Sequence, residues 1–220
     1  MTVKDAPARA DLAATDDIGW AVRLLAATPT HEHRDPELLH RWARAADAFG
    51  AALAPVECRA RIVERDGGLE LGLLARYTSR PPTVELYTDT IDLAERVVDA
   101  RGWRAWYPPG SVRAAALAHE AVHVHLHHGP GKAALKQALG HSALRLGRLR
   151  VPGHVAGAEE VAAHAYARTV CGLGRSPLLL TAALAAETET ETVTETVTET
   201  ENGSVTGSTP PPARDARREN

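Results

Sequence analysis

Along the chain, the first long periodic segment opens at Asp35-Pro36. Leu38, Leu39, Trp42, Ala45, Ala46 and Phe49 recur at helical spacing. With Asp35 as N-cap and Pro36 in the first turn, they predict a helix over residues 36–53, preceded by a shorter one over 17–27. The period then changes. Residues 58–65 and 69–76 read as extended runs on either side of Asp66-Gly67-Gly68, a tight-turn signal, and Pro81-Pro82 separates them from a third run, 83–87. Three short consecutive runs predict a small antiparallel β-meander. Helical spacing returns from Asp89 to about residue 100, then from Ser111, read as an N-cap, to a stop at Gly129-Pro130. Further helices are predicted over 132–139, 141–146, 158–171 and from Ser176-Pro177 to about 186. Helices packed on a small sheet make the fold class α+β.

Beyond residue 186 the pattern fails. Residues 187–220 alternate Glu and Thr, then run through Gly, Ser and Pro to an Arg-containing end, with Val as the one large aliphatic type and no aromatic. Such a segment cannot bury enough apolar surface to offset the entropy of ordering it, and is expected to be a disordered tail. The expected organisation is therefore an N-terminal helical segment over 1–55, a domain over 56–186 and the tail over 187–220.

Charge adds an exclusion. The 220 residues carry a formal net charge of −3, and eight acids against three arginines in the tail leave +2 on residues 1–186. A near-neutral body gives no electrostatic case for a nucleic-acid partner or an anionic membrane. The longest apolar stretches, such as 112–126, are broken by Arg and His before they could span a bilayer, and the first residues lack a signal peptide's apolar run. The two cysteines, Cys58 and Cys171, have neither disulfide-framework nor zinc-ribbon spacing, so a cytoplasmic protein is expected.

Histidine changes the picture. Five of the 11 histidines fall between His119 and His128. Among them stands His119-Glu120-Ala121-Val122-His123, an H-E-x-x-H pattern. Two histidines four apart share one helix face, so both imidazoles can reach one Zn²⁺ at about 2.0–2.1 Å, while Glu120 can act as base on a water that the metal acidifies. Roughly 0.04 such matches are expected by accident at this composition, so the setting matters. Here Ala115, Ala116, Leu117, Val122 and Leu126 make the surrounding helix a core helix.

A hydrolytic zinc site needs a third protein ligand and an open position for water. In the 158–171 helix, Glu160 and His164 lie four apart on one face of an apolar, small-residue segment. Glu160 can bind metal there, with His164 as support, as an alternative ligand or as mere packing. Glu159 points about 100° away and reads as a solvated carboxylate at the helix N-terminus. His127 reads as a solvated histidine at a helix end, and His125 and His128 as surface residues.

The run His119-Glu120-x-x-His123-x-x-Leu126-His127-His128, followed by Glu160-x-x-Ala163-x-x-Tyr166-Ala167, resembles the ImmA/IrrE-type metallopeptidases, whose pattern is H-E-x-x-H-x-x-L-H and then E-x-x-A-N-x-F-A. The likeness covers roughly residues 56–171. It implies a zincin-like core, His119, His123 and Glu160 as gluzincin-like ligands, Glu120 as catalytic base, Zn²⁺ as cofactor and a protein or peptide substrate such as a transcriptional repressor. His164 stands where that family has Asn or Asp.

Other residues have blander readings. Trp103, Trp106 and Tyr107 are expected as core or loop anchors, with Tyr107 within possible reach of a substrate carbonyl, and Arg145, Arg148 and Arg150 as a solvated basic face. Strand 83–87 is expected at the sheet edge nearest the motif helix, where an extended peptide can add through main-chain bonds. The rival functions are a non-catalytic metal-binding or interaction module retaining the fold, which has no need for Glu120, and a DNA-binding regulator, which the apolar stripe and acids of residues 36–53 oppose.

Overall fold

Capping and periodicity set the N-terminal helices where they are expected. The computed structural model describes residues 11–127, 129–146 and 149–187. Asp16 accepts the Gly19 N–H to start α1 (Asp17–Ala26), and Asp35 accepts the Glu37 N–H to start α2 (Pro36–Ala51). Leu39, Trp42, Ala43 and Ala46 form the buried stripe of α2. The predicted tail lies outside the described residues.

The sheet differs from the predicted meander. β1 (Arg61–Arg65) and β2 (Ala75–Ser79) do not pair with each other; both flank β3 (Pro82–Tyr87), β1 parallel and β2 antiparallel, in the order β1-β3-β2. The sheet is thus mixed, and Thr83–Tyr87 is its central strand, not its edge. The reason lies at Asp66-Gly67-Gly68. Gly67 takes a left-handed φ of 95°, and α3 (Gly68–Leu71) begins there instead of a hairpin. One oxygen of Asp89 accepts the Gly67 and Leu69 N–H groups and the other accepts that of Gly68. A carboxylate some twenty residues away thus satisfies the donors that a hairpin ladder would have used.

After the sheet come α4 (Thr88–Ala100), α5 (Ser111–His127), α6 (Gly129–Leu139), α7 (Ala158–Val170) and α8 (residues 177–187). Gly129-Pro130 therefore opens a helix instead of only closing one. Residues 142–146, expected as a short helix, form β4 (Ser142–Leu146), paired antiparallel with β5 (Leu149–Pro152). Its Ser-Ala-Leu-Arg-Leu alternation, read as a helix fragment, satisfies the period of two equally well, and pairing decided between them. Among the described residues no helix is long and apolar enough to cross a membrane.

Two apolar clusters share one helix. Val84 and Leu86 of the sheet, Ala94 and Val98 of α4, and Leu179 and Leu180 of α8 belong to the first, with Val112, Ala115 and Ala116 of α5. Val122 and Leu126 of the same helix join α1, α2, α6 and α7 in the second. Positions 112, 115, 116, 119, 122, 123 and 126 make one continuous stripe at helical spacing, so His119 and His123 sit between the clusters. α7 is buried nearly all round, at Ala158, Val161, Ala162, Ala163, Ala165, Tyr166 and Ala167. Further ties fix its position: Arg168 pairs with Asp17 of α1 and Asp47 of α2, and the Val56 N–H donates to the Tyr166 hydroxyl at 2.6 Å. By contact, the described residues up to 185 form one compact unit.

Two substitutions test this packing. A Cβ on Gly50 would stand 2.0 Å from the Ala162 carbonyl oxygen, where α2 crosses α7 backbone to backbone. Gly50→Ala is expected to cost more than about 3 kcal/mol in urea unfolding, because main chain cannot yield as a side chain can. At Asp89, burial pushes the carboxyl pKa up, but the Leu69, Gly67 and Gly68 N–H groups bring it below its ordinary value. An amide in its place has one accepting oxygen for donors that now use two. Asp89→Asn should lose about 1–2 kcal/mol at neutral pH. A lowered folded pKa stabilises above the unfolded value of about 3.9, and that contribution disappears as pH falls through the folded value. The gap between wild type and variant should therefore close in acid, as followed by urea titration at several pH values.

Candidate metal centre

The buried stripe of α5 brings His119 and His123 to α7. His123 is 7% exposed. Its Nε2 lies 2.9 Å from the Nε2 of His119, and the Glu160 carboxylate faces both, one oxygen 3.3 Å from His119 Nε2 and the other 3.2 Å from His123 Nε2. Four ligands around a tetrahedral Zn²⁺ at 2.0–2.2 Å stand about 3.3 Å apart. The three donor groups thus already have the mutual spacing of a zinc coordination shell, and their chemistry, two imidazoles and a carboxylate, suits that ion.

Electrostatics tie the three together. Burial pushes the His123 pKa down, but its bond to Glu160 and the Glu160 charge more than reverse this and hold it above the ordinary histidine value. For Glu160, desolvation pushes the pKa up, and the two imidazoles drive it well below the carboxylate range. The Glu160 charge thus favours the protonated form of His123, and metal binding there would compete with that proton. Glu160 remains 47% exposed at its side chain, so the cluster opens toward solvent on the α7 side.

Glu120 has a separate place. Its carboxylate accepts the Tyr77 N–H at 2.9 Å, and its charge is among those that raise the His123 pKa. Tyr77 is on β2, one of the two edge strands of the sheet; it faces Val84 of β3, yet directs its N–H outward to α5. A main-chain donor leaves no trace in side-chain patterns, so the sequence carried no sign of this contact.

The remaining expectations are sorted by position. The His164 ring packs against His119 with centroids 4.4 Å apart, and one ligand atom each of His119, Glu160 and His164 lie within 4.8 Å of one another. Burial and the neighbouring His119 hold the His164 pKa well below the ordinary value. Glu159, expected in solvent, is instead 12% exposed and lies 3.7 Å from His154 Nδ1, because α7 is covered even at its first turn. Tyr107 is not a candidate for substrate contact: it is buried, and its hydroxyl donates to the Ser176 carbonyl at 2.7 Å. Trp103 is likewise core. His125 is exposed. The side chain of His127, all of His128, and the side chains of Arg145, Arg148 and Arg150 lie outside the described residues.

Comparison with known protein families, with curated proteins and with solved structures finds no match to this chain. The site therefore has to be tested directly. Purified chain is expected to take up one Zn²⁺, and His123→Ala to lose stoichiometric uptake. With zinc at a thousandfold its dissociation constant, wild type should gain about 4 kcal/mol of stability, reversed by a chelator, and His123→Ala should gain little. Metal analysis and thermal melts with and without zinc check this.

Proposed function

We propose that the chain is a zinc-dependent metallopeptidase with a zincin-like core, of the ImmA/IrrE type that its two motifs resemble. The observation that carries the reading is the approach of His119, His123 and Glu160, from two helices far apart in sequence, to within 3.3 Å of one another, while Glu120 is bonded to the Tyr77 N–H. His119, His123 and Glu160 would hold the metal. When bound, Zn²⁺ supplies a Lewis acid that acidifies a water and polarises the scissile carbonyl.

The chain's own groups do the rest. Glu120 takes the water's proton and returns it to the departing amine, and the Tyr77 N–H orients its carboxylate between the two tasks. The β2 edge offers a peptide its main chain. By the period of two, Ala75 and Ser79 point their N–H and C=O groups to the same side as Tyr77, so an extended segment can add there with little demand on its side chains. The edge predicted for Thr83–Tyr87 thus passes to β2. A protein substrate, of which a transcriptional repressor is the kind the family resemblance suggests, would present a mobile segment to this edge.

Glu120→Gln tests the assignment. The amide oxygen still accepts the Tyr77 N–H, so fold and zinc content should be unchanged, but it cannot accept the water's proton. Cleavage of a mixed peptide library, followed by mass spectrometry, should fall by at least about a hundredfold. Equal cleavage by the variant rejects Glu120 as base, and a zinc-loaded wild type that cuts nothing favours the non-catalytic metal-binding module.

A further inference from the structure

The metal cluster has a fourth candidate donor that the H-E-x-x-H reading does not require. We propose that His164 is a protein ligand of the centre, which makes the donor set three imidazoles and one carboxylate. This rests on the metal-centre reading above and extends it.

Distance is the first support. The His119 and His164 ring centroids are 4.4 Å apart, against 4.5 Å for His119 and His123, so His164 lies as close to the shared ligand as the second motif histidine does. Ligand atoms of His119, Glu160 and His164 fall within 4.8 Å of one another. Ligands sharing a tetrahedral Zn²⁺ stand about 3.3 Å apart, so side-chain adjustments of up to about 1.5 Å bring all three within range.

Hydrogen bonding separates a ligand from a supporting residue. A histidine that supports a metal ligand does so by a hydrogen bond to that ligand's other ring nitrogen. Here the Nδ1 atoms of His119 and of His164 are both buried, and neither has a hydrogen-bond partner among the described residues. The two rings touch without the bond that support requires. A buried ring nitrogen without a partner costs free energy that an apolar side chain would avoid, and ligation through the His164 Nδ1 would remove that cost. Helix geometry completes the case: Glu160 and His164 are one turn apart on α7, and the close crossing at Gly50 and Ala162 holds that helix at a fixed depth.

The full-length chain loaded with one equivalent of Co²⁺ tests the proposal. In His164→Ala the visible ligand-field bands should move and weaken or strengthen measurably, and affinity measured by chelator competition should drop more than about a hundredfold, beyond the 10–100-fold typical of losing a supporting residue. Added imidazole should fill the vacated space and restore the wild-type spectrum. An unchanged spectrum with affinity within about tenfold overturns the proposal. A second measurement needs no variant. NMR of isotope-labelled wild type loaded with NMR-active cadmium counts the imidazoles coupled to the ion; three support the proposal and two overturn it, leaving the three-ligand centre intact. A wild type that binds neither ion stoichiometrically overturns the metal-centre reading together with this one.

Discussion

Two imidazoles on the buried stripe of a helix need a partner, and the chain's architecture is arranged around supplying it. Val112, Ala115, Ala116, Val122 and Leu126 fill the other positions of that stripe on α5, so His119 and His123 have little access to water. Glu160 answers both from α7. For its carboxylate to do so, α7 must lie at one depth and one rotation against α5. Its small residues permit the depth, and Gly50 lets α2 press it from the other side without a side chain between the two backbones. Arg168, spanning Asp17 and Asp47, and Tyr166, held by Val56, then fix the rotation. The N-terminal helices thus bear on the His119–His123–Glu160 cluster through α7.

Three carboxylates lie near this centre, and their surroundings assign them different work. Glu160 faces imidazoles and is held ionised by them. Glu120 faces a main-chain N–H of the edge strand. Glu159 is turned toward His154. In the proposed reading one acid group is committed to the metal and another is free to carry a proton, and the different partners of Glu160 and Glu120, a helix's imidazoles and a sheet edge, would provide that division. The same arrangement places the proposed peptide edge next to the proposed base, since a single strand, β2, holds both.

Much of the local structure was legible in the sequence because its causes are local. Asp16 and Asp35 cap helices with their own side chains, and the stripe of α2 is written in its spacing. The H-E-x-x-H pair shares a face by helix geometry alone, and Glu160 and His164 stood out as polar groups in an otherwise apolar segment. Where the cause was distant, the sequence misled. Gly67-Gly68 reads as a hairpin turn until Asp89 arrives to cap α3, and the three runs read as a meander until β1 pairs in parallel with β3. Residues 142–146 fit either period, and only a partner strand chose between them.

By itself, then, the sequence determined the long helices, the shared face of His119 and His123, and the residue types from which a metal centre can be built, because each follows from spacing within one element. Tertiary structure alone decided which strand forms the edge, that Glu120 rests on Tyr77, that Glu159 is withdrawn while Glu160 meets the imidazoles, and that His164 packs beside His119. These depend on the relative depth and rotation of α5, α7 and the sheet. Such quantities are set by close packing between segments far apart in the chain, and no pattern within a single segment encodes them.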